Sequence, residues 1–134
     1  MEQILSIKGS QSRLLWVVDR ARRLPDFPPA QRIDANRVEG CLSKLWFQGA
    51  LSQGRCVFSC DSDSMVVKGM GALLCESCSG RFPVEVLERR NDQPLLTAPF
   101  GAALTQNRRS GLQRLWGQIV AFAEVHAMGS ATSP

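Results

Sequence analysis

Tyrosine is absent from this chain, histidine occurs once, and only 7% of the residues are aromatic. The single histidine, His126, lies near the C-terminal end, so Ser-His-Asp or Cys-His catalysis would rest on one poorly placed base. Conventional hydrolase chemistry therefore falls away. Long hydrophobic runs are missing as well. The longest nearly unbroken one covers residues 69–75, far short of the roughly 20 residues of a spanning helix. The N-terminus has no basic segment followed by an apolar one, as a secretory signal would, so the protein is expected to be cytoplasmic with no membrane association. An even set of cysteines is lacking too. Five of them without an export signal do not make a disulfide framework, which leaves packing, metal binding or thiol chemistry.

The chain has 134 residues, 44% of them hydrophobic, enough for one domain that folds without a disulfide or a metal. Net charge is +4 with a pI near 9.1, and most of the cations are arginine. They are scattered as Arg20/Arg22/Arg23, Arg89/Arg90 and Arg108/Arg109, with no aromatic residues interleaved as a stacking platform. Solvated helix faces account for them, and nucleic acid is not an expected partner.

Apolar residues at helical spacing predict a helix over residues 11–24, ended by Pro25 and the Pro28-Pro29 pair. Residues 33–38 read as a short polar strand. Alternation over residues 43–51 puts Leu45, Phe47 and Leu51 on one face of a strand, and Ser52-Gln53-Gly54 turns the chain into a second strand carrying Cys56, Phe58 and Cys60. Asp61-Ser62-Asp63-Ser64 supplies capping oxygens for a nearly apolar, hence central, helix that ends at Ser79-Gly80. A short helix starts at Pro83 and a long amphipathic one carries Leu112, Leu115, Trp116, Ile119, Val120 and Ala123. The expected organisation is one α+β domain over residues 1–126, with helices on a small antiparallel sheet of about three strands, followed by a flexible tail at 127–134.

Two readings compete for the cysteines. Cys56-x3-Cys60 and Cys75-x2-Cys78 superficially resemble a four-thiolate zinc module. However, Cys56 and Cys60 alternate along a strand, on the order of 13 Å apart at ~3.3 Å per residue, while Cys75 and Cys78 close an apolar helix where small thiols fill space. Core packing is the favoured reading and no metal is expected. Cys41 differs: it follows Gly40 at a loop tip, exposed, with Arg37 and Lys44 lowering its pKa and Glu39 raising it.

The stretch Gly40-Cys41-Leu42-Ser43-Lys44-Leu45-Trp46 resembles the Gly-Cys-x-Ser-x-aliphatic-Trp signature of the SufE family of sulfur acceptors, including its CsdE branch. Arg23-Leu24-Pro25, Asp61-Ser62-Asp63 with Val67-Lys68-Gly69, and Leu104-Thr105 with Arg108 and Gly111-Leu112 match further family segments in the same order. Gln106-Asn107 stands where the family usually has Pro-Ser, Phe82 where a capping Thr is common, and the other four cysteines are not family features.

The resemblance implies a SufE/IscU-like fold and a persulfide carrier. Such a carrier takes sulfane sulfur from a pyridoxal-phosphate cysteine desulfurase (SufS/CsdA-like) onto Cys41, stimulates that enzyme, and passes sulfur to iron–sulfur scaffold proteins. It is an accessory of the desulfurase and not a stand-alone enzyme. The pyridoxal phosphate belongs to the partner, so this chain needs no cofactor. Gly40, Ser43, Trp46, Asp63, Lys68 and Arg108 are the loop and partner-contact candidates. Plainer roles are set beside them: a turn for Gly40, core packing for Trp46, helix capping for Asp61 and Asp63, a solvated position for Lys68. Arg108 is expected to shape the Cys41 loop or the docking surface, with Arg109 an ordinary surface neighbour. Leu42 and Leu45 are expected to shelter the Cys41 sulfur.

Overall fold

The computed structural model describes residues 2–40, 43–93 and 97–132. In chain order these form α1 (Glu2–Leu5), α2 (Ser10–Arg22), 3-10 turns at Pro29–Gln31 and Asp34–Asn36, β1 (Leu45–Ser52), β2 (Arg55–Ser62), α3 (Met65–Cys78), α4 (Pro83–Glu88), a 3-10 segment at Ala98–Ala103, and α5 (Gln106–Thr132). The α+β class holds.

The apolar spacing of α3 decides the architecture. Val67, Met70, Leu74, Cys75 and Cys78 are all buried, so the helix is enclosed between β2, α2 and α5. Gly69 and Gly71 make that enclosure possible. A Cβ at Gly69 would lie 2.7 Å from the Val17 carbonyl oxygen of α2, and one at Gly71 would lie 2.7 Å from the Cys60 Sγ of β2. The helix therefore rides closer on its neighbours than any side chain there would permit. Ser64 caps it, its Oγ accepting the Val67 N–H at 3.3 Å. Of the run Asp61-Ser62-Asp63-Ser64 expected to supply capping oxygens, Ser64 does so, while the two carboxylates are used elsewhere.

The hairpin is antiparallel, registered from Leu45 opposite Ser62 to Ser52 opposite Arg55. Gln53 and Gly54 both have positive φ (53° and 78°), the two-residue turn whose twist matches that of the strands. Leu45, Phe47, Cys56 and Phe58 face the core, and the Phe58 ring meets Phe47 and Phe122 of α5 at 5.7 and 5.3 Å. Leu51 is 42% exposed although it shares their face, because the hairpin tip carries it away from the core.

Two expectations are corrected. The third strand is missing among the described residues: Asp34–Asn36 forms a 3-10 turn, and only an isolated bridge joins Arg37 to Trp46. Residues 33–38 alternate too weakly to complete a ladder, and the local turn captures them. The last helix also continues to Thr132, past residue 127 where the tail was expected to begin. Alanine, methionine and serine extend a helix at small cost, and only Gly129 opposes it there.

Phe82, in place of a capping threonine, lies beneath the Arg55 guanidinium at 4.3 Å, and its N–H donates to Glu85 Oε1 at 2.9 Å. This is the reciprocal half of a capping box; the half a threonine oxygen would supply is absent, since phenylalanine has no acceptor.

Gly69→Ala is expected to lower stability by about 1–3 kcal/mol, since the Val17 backbone cannot yield as a flexible side chain would. Gly117→Ala, in α5 with nothing within 4 Å of the added Cβ, should raise it by about 0.4–1 kcal/mol. Urea unfolding midpoints of the two variants test the contrast, and equal midpoints would contradict it.

Candidate functional site

Cys41 and Leu42 lie outside the described residues, so the sulfur itself and its proposed shelter by Leu42 are not described. Both flanks of their loop are. Gly40 has φ +82°, a left-handed conformation that side chains resist, in keeping with its expected role as a turn. Two residues back, the Val38 N–H donates to the Leu45 carbonyl at 2.8 Å and closes the base of the loop. On the return side both backbone groups of Lys44 are held. Its N–H donates to Asp63 Oδ1 at 3.0 Å, while its carbonyl accepts from Ser62 Oγ at 2.6 Å and from the Asp63 N–H at 3.2 Å. Asp63 is thus a clamp on the loop and not a helix cap. Ser43 is half-buried beside this clamp.

Asp61 lies one residue before the clamp and is buried, its side chain 5% exposed. Its carboxylate accepts from Arg32 Nε at 2.6 Å and faces Lys68 Nζ at 3.7 Å. Lys68 is accordingly a partly buried partner, its side chain 15% exposed, and not a solvated helix residue. The sequence shows Asp61 and Lys68 seven residues apart, but only the fold brings in Arg32.

Trp46 corrects the core-packing expectation. Leu45 is wholly buried, whereas Trp46 points to the other face of the hairpin, half-buried, with the Arg37 guanidinium 5.9 Å from its ring centroid. It is placed on the surface beside the loop base. Arg108 is partly buried in the first turn of α5, its N–H donating to Thr105 Oγ1 at 3.4 Å. Arg109, expected to be ordinary, binds the carbonyls of Leu104 and Gly101 and so ties the 3-10 segment to α5.

Sequence reasoning missed Arg114. A Cβ on Gly40 would collide with its guanidinium, so this arginine of α5 lies across the turn that precedes Cys41. It sits more than 70 residues along the chain, in no motif, and nothing short of the tertiary structure brings it there. With Arg37 and Lys44 it sets cations around the loop base, where Glu39 and the Asp63 carboxylate on the Lys44 N–H stand as opposing charges. His126 is elsewhere, stacked on Phe122 at 3.9 Å with Nδ1 2.8 Å from the Phe122 carbonyl.

Cys56, Cys75 and Cys78 are buried in the core and Cys60 is half-buried. Among the described residues no three His, Cys, Asp or Glu side chains converge to hold a metal ion, which leaves the zinc-module reading without a donor set there. Burial pushes the Cys56 and Cys78 thiols up. A hydrogen bond with Cys60, together with burial, pushes Cys75 well up.

The fold and site define a class: a helical body holding one hairpin, with a short, backbone-clamped, cation-flanked loop at its base. Residues 1–123 match the SufE family, described as a domain associated with Fe–S metabolism, and the chain belongs to that family. The chain is 31% identical over 123 residues, 91% of its length, to a chloroplastic quinolinate synthase of Arabidopsis thaliana, of which it spans only 17%. It is 28% identical over 124 residues, 92% of its length, to an uncharacterised SufE-like protein of Synechocystis, covering 76% of that protein. The solution structure of a hypothetical protein from Thermus thermophilus shares the fold, with a TM-score of 0.72 over 95% of this chain and 92% of that one, at 21% identity.

Two outcomes are expected. Asp61→Asn leaves Lys68 partly buried and unpaired, and should cost about 2–3 kcal/mol in urea denaturation, below the roughly 3–5 of a fully buried pair because Arg32 is partly open to water. Adding Lys68→Met should recover part of that loss, and strict additivity would argue against the pair. The thiols set a pH dependence. Their folded pKa values are raised, so the unfolded chain releases protons that the native one retains, and the stabilisation is complete below the ordinary thiol pKa of 9.0 and lost above it. Stability should fall above about pH 9 by up to roughly 1.4 kcal/mol per pH unit for each retained thiol, and Cys56→Ala should remove one share of the slope.

Proposed function

We propose that this protein is a persulfide carrier whose sulfur-accepting group is Cys41. The observation that carries the reading is the loop between Val38 and Leu45. Its base is closed by Val38, Lys44 is gripped by Ser62 and Asp63, and the family's signature residues stand at both flanks. A loop anchored this firmly at its two ends can present one residue to a partner's active site while the body of the protein stays unchanged.

The partner is a pyridoxal-phosphate cysteine desulfurase carrying a persulfide on its own cysteine. The Cys41 thiolate attacks the terminal, sulfane sulfur. A new S–S bond forms on Cys41, the S–S bond on the desulfurase breaks, and the desulfurase cysteine leaves as a thiolate. No net oxidation occurs. The carrier then yields the sulfur to an iron–sulfur scaffold protein by the same exchange. Clearing the desulfurase of its persulfide frees it for another turnover, which is the source of stimulation. Trp46, Ser43, Lys44 and Arg108 flank the docking surface, while Asp63 and Lys68 hold it from behind. The protein acts in the cytoplasm and needs no cofactor of its own.

Cys41→Ser should accept no sulfur after incubation with a desulfurase and cysteine, read as a missing sulfur mass on the tryptic peptide 38–44. It should also abolish stimulation while leaving the melting temperature unchanged, since a loop thiol contributes little packing. Full stimulation by this variant would sink the carrier reading.

A further inference from the structure

Sulfur acceptance at Cys41 makes no use of the other four thiols, and two of these stand together. Cys60 of β2 and Cys75 of α3 line one groove of about 250 Å3, between the segment after α2 and the edge of β2. They lie close enough that Cys60, together with burial, holds the Cys75 thiol pKa well up. Gly71 is the reason they meet. Cys60 Sγ lies 2.7 Å from where a Cβ on Gly71 would be, and Cys75 follows Gly71 by one helical turn on the same face. A disulfide needs Cα atoms within roughly 4.4–6.8 Å, which a helix offers a strand only where it rides this close.

Exposure divides the pair into an outer and an inner member. Cys60 is half-buried and opens on the groove, whereas Cys75 is 2% exposed behind it. Cys56 and Cys78 are both wholly buried and line no such opening. The groove is apolar along Leu24, Pro25, Phe27 and Phe58, and carries the carboxylates of Asp26 and Glu76, so a small uncharged reagent suits it better than an anion.

We propose that Cys60 and Cys75 are a redox dithiol that closes to a disulfide between β2 and α3 on meeting a small uncharged disulfide. Cys60, as its thiolate, attacks one sulfur of that reagent. The reagent's S–S bond breaks, one of its halves leaves as a thiolate, and Cys60 is held as a mixed disulfide. Cys75 then gives up its proton and attacks Cys60 Sγ, which breaks the mixed disulfide and releases the other half. Two protein thiols are oxidised, one reagent disulfide is reduced to two thiols, and the two protons end on the released thiols. Burial does not prevent the second step, because its target is delivered from inside the fold. The bond falls one residue before Asp61, on the strand end whose Ser62 and Asp63 hold Lys44. Oxidation therefore staples the support of the Cys41 loop to the central helix.

The test treats the folded full-length chain with excess bis(2-hydroxyethyl) disulfide, followed by acid quenching, alkylation and tryptic mapping. Trypsin separates Cys41 (38–44), Cys60 (56–68) and Cys75 (69–81) into different peptides. The expected product is peptide 56–68 joined to 69–81, with Cys56 and Cys78 each carrying one alkyl group and the mass two hydrogens below the sum of the two singly alkylated peptides, fragmentation placing the bond between Cys60 and Cys75. Cys75→Ser should trap a stable mercaptoethanol adduct on Cys60, and Cys60→Ser should give no cross-link. An unmodified Cys60 in the wild type, a stable adduct there without a cross-link, or a bond mapped to Cys56 and Cys78 would each overturn the proposal. Because Cys41 is read on its own peptide, the result is independent of whether it accepts sulfur.

Discussion

Everything in this domain is arranged around the close seating of α3, which two glycines permit. Gly69 lets the Val17 turn of α2 lie on the helix backbone, and Gly71 lets the hairpin lie on it through Cys60. With those approaches set, the helix closes the core from both sides, and Met70, Leu74, Cys75 and Cys78 fill the remaining space. A methyl group at either glycine would displace backbone or a buried sulfur, and close-packed interiors do not absorb such changes freely.

The functional loop inherits its support from that seating. Lys68 projects from the first turn of α3 toward Asp61, and Arg32 reaches the same carboxylate from the segment before the hairpin. The strand end held in this way presents Ser62 and Asp63 to the backbone of Lys44. Burying charge is costly unless it is paired, so this network favours one arrangement of the three segments over its alternatives. The flanks of the loop that holds the proposed sulfur acceptor are thus fixed by polar contacts beneath them, a division of labour common where loops do chemistry on a rigid scaffold. The cations at the loop base come from three separate elements, with Arg37 and Lys44 on its two flanks and Arg114 on α5 across from Gly40.

Much of this was legible in the sequence, and the limits have physical causes. Apolar period located α2, α3 and the long C-terminal helix, because burial on one face leaves a spacing that no tertiary contact needs to supply. The hairpin was visible for the same reason: Leu45 and Phe47 alternate with polar neighbours, and Gln53-Gly54 suits a tight turn. The weakly patterned residues 33–38 misled, since a polar segment without alternation is decided by whichever neighbour captures it. The Asp-Ser-Asp-Ser run showed that a helix begins there. It did not show that Ser64 alone caps it while Asp61 and Asp63 serve other segments, because one carboxylate suits a cap, a clamp or an ion pair equally well.

Cys41 was singled out from sequence by a local motif around a glycine turn, chemistry that can be written into adjacent residues. Arg114 against Gly40, Arg32 on Asp61, and Cys60 beside Cys75 belong to a different order of information. Each joins residues 15 to more than 70 positions apart, and nothing in composition or spacing specifies such a pair. They exist because separate segments meet only in the folded chain, α5 at the Gly40 turn, the segment before the hairpin at Asp61, and α3 at β2. Sequence alone located the main helices, the hairpin and the residue proposed to accept sulfur; the tertiary structure decided which charges and thiols stand together, since those distances are set only when the whole core closes.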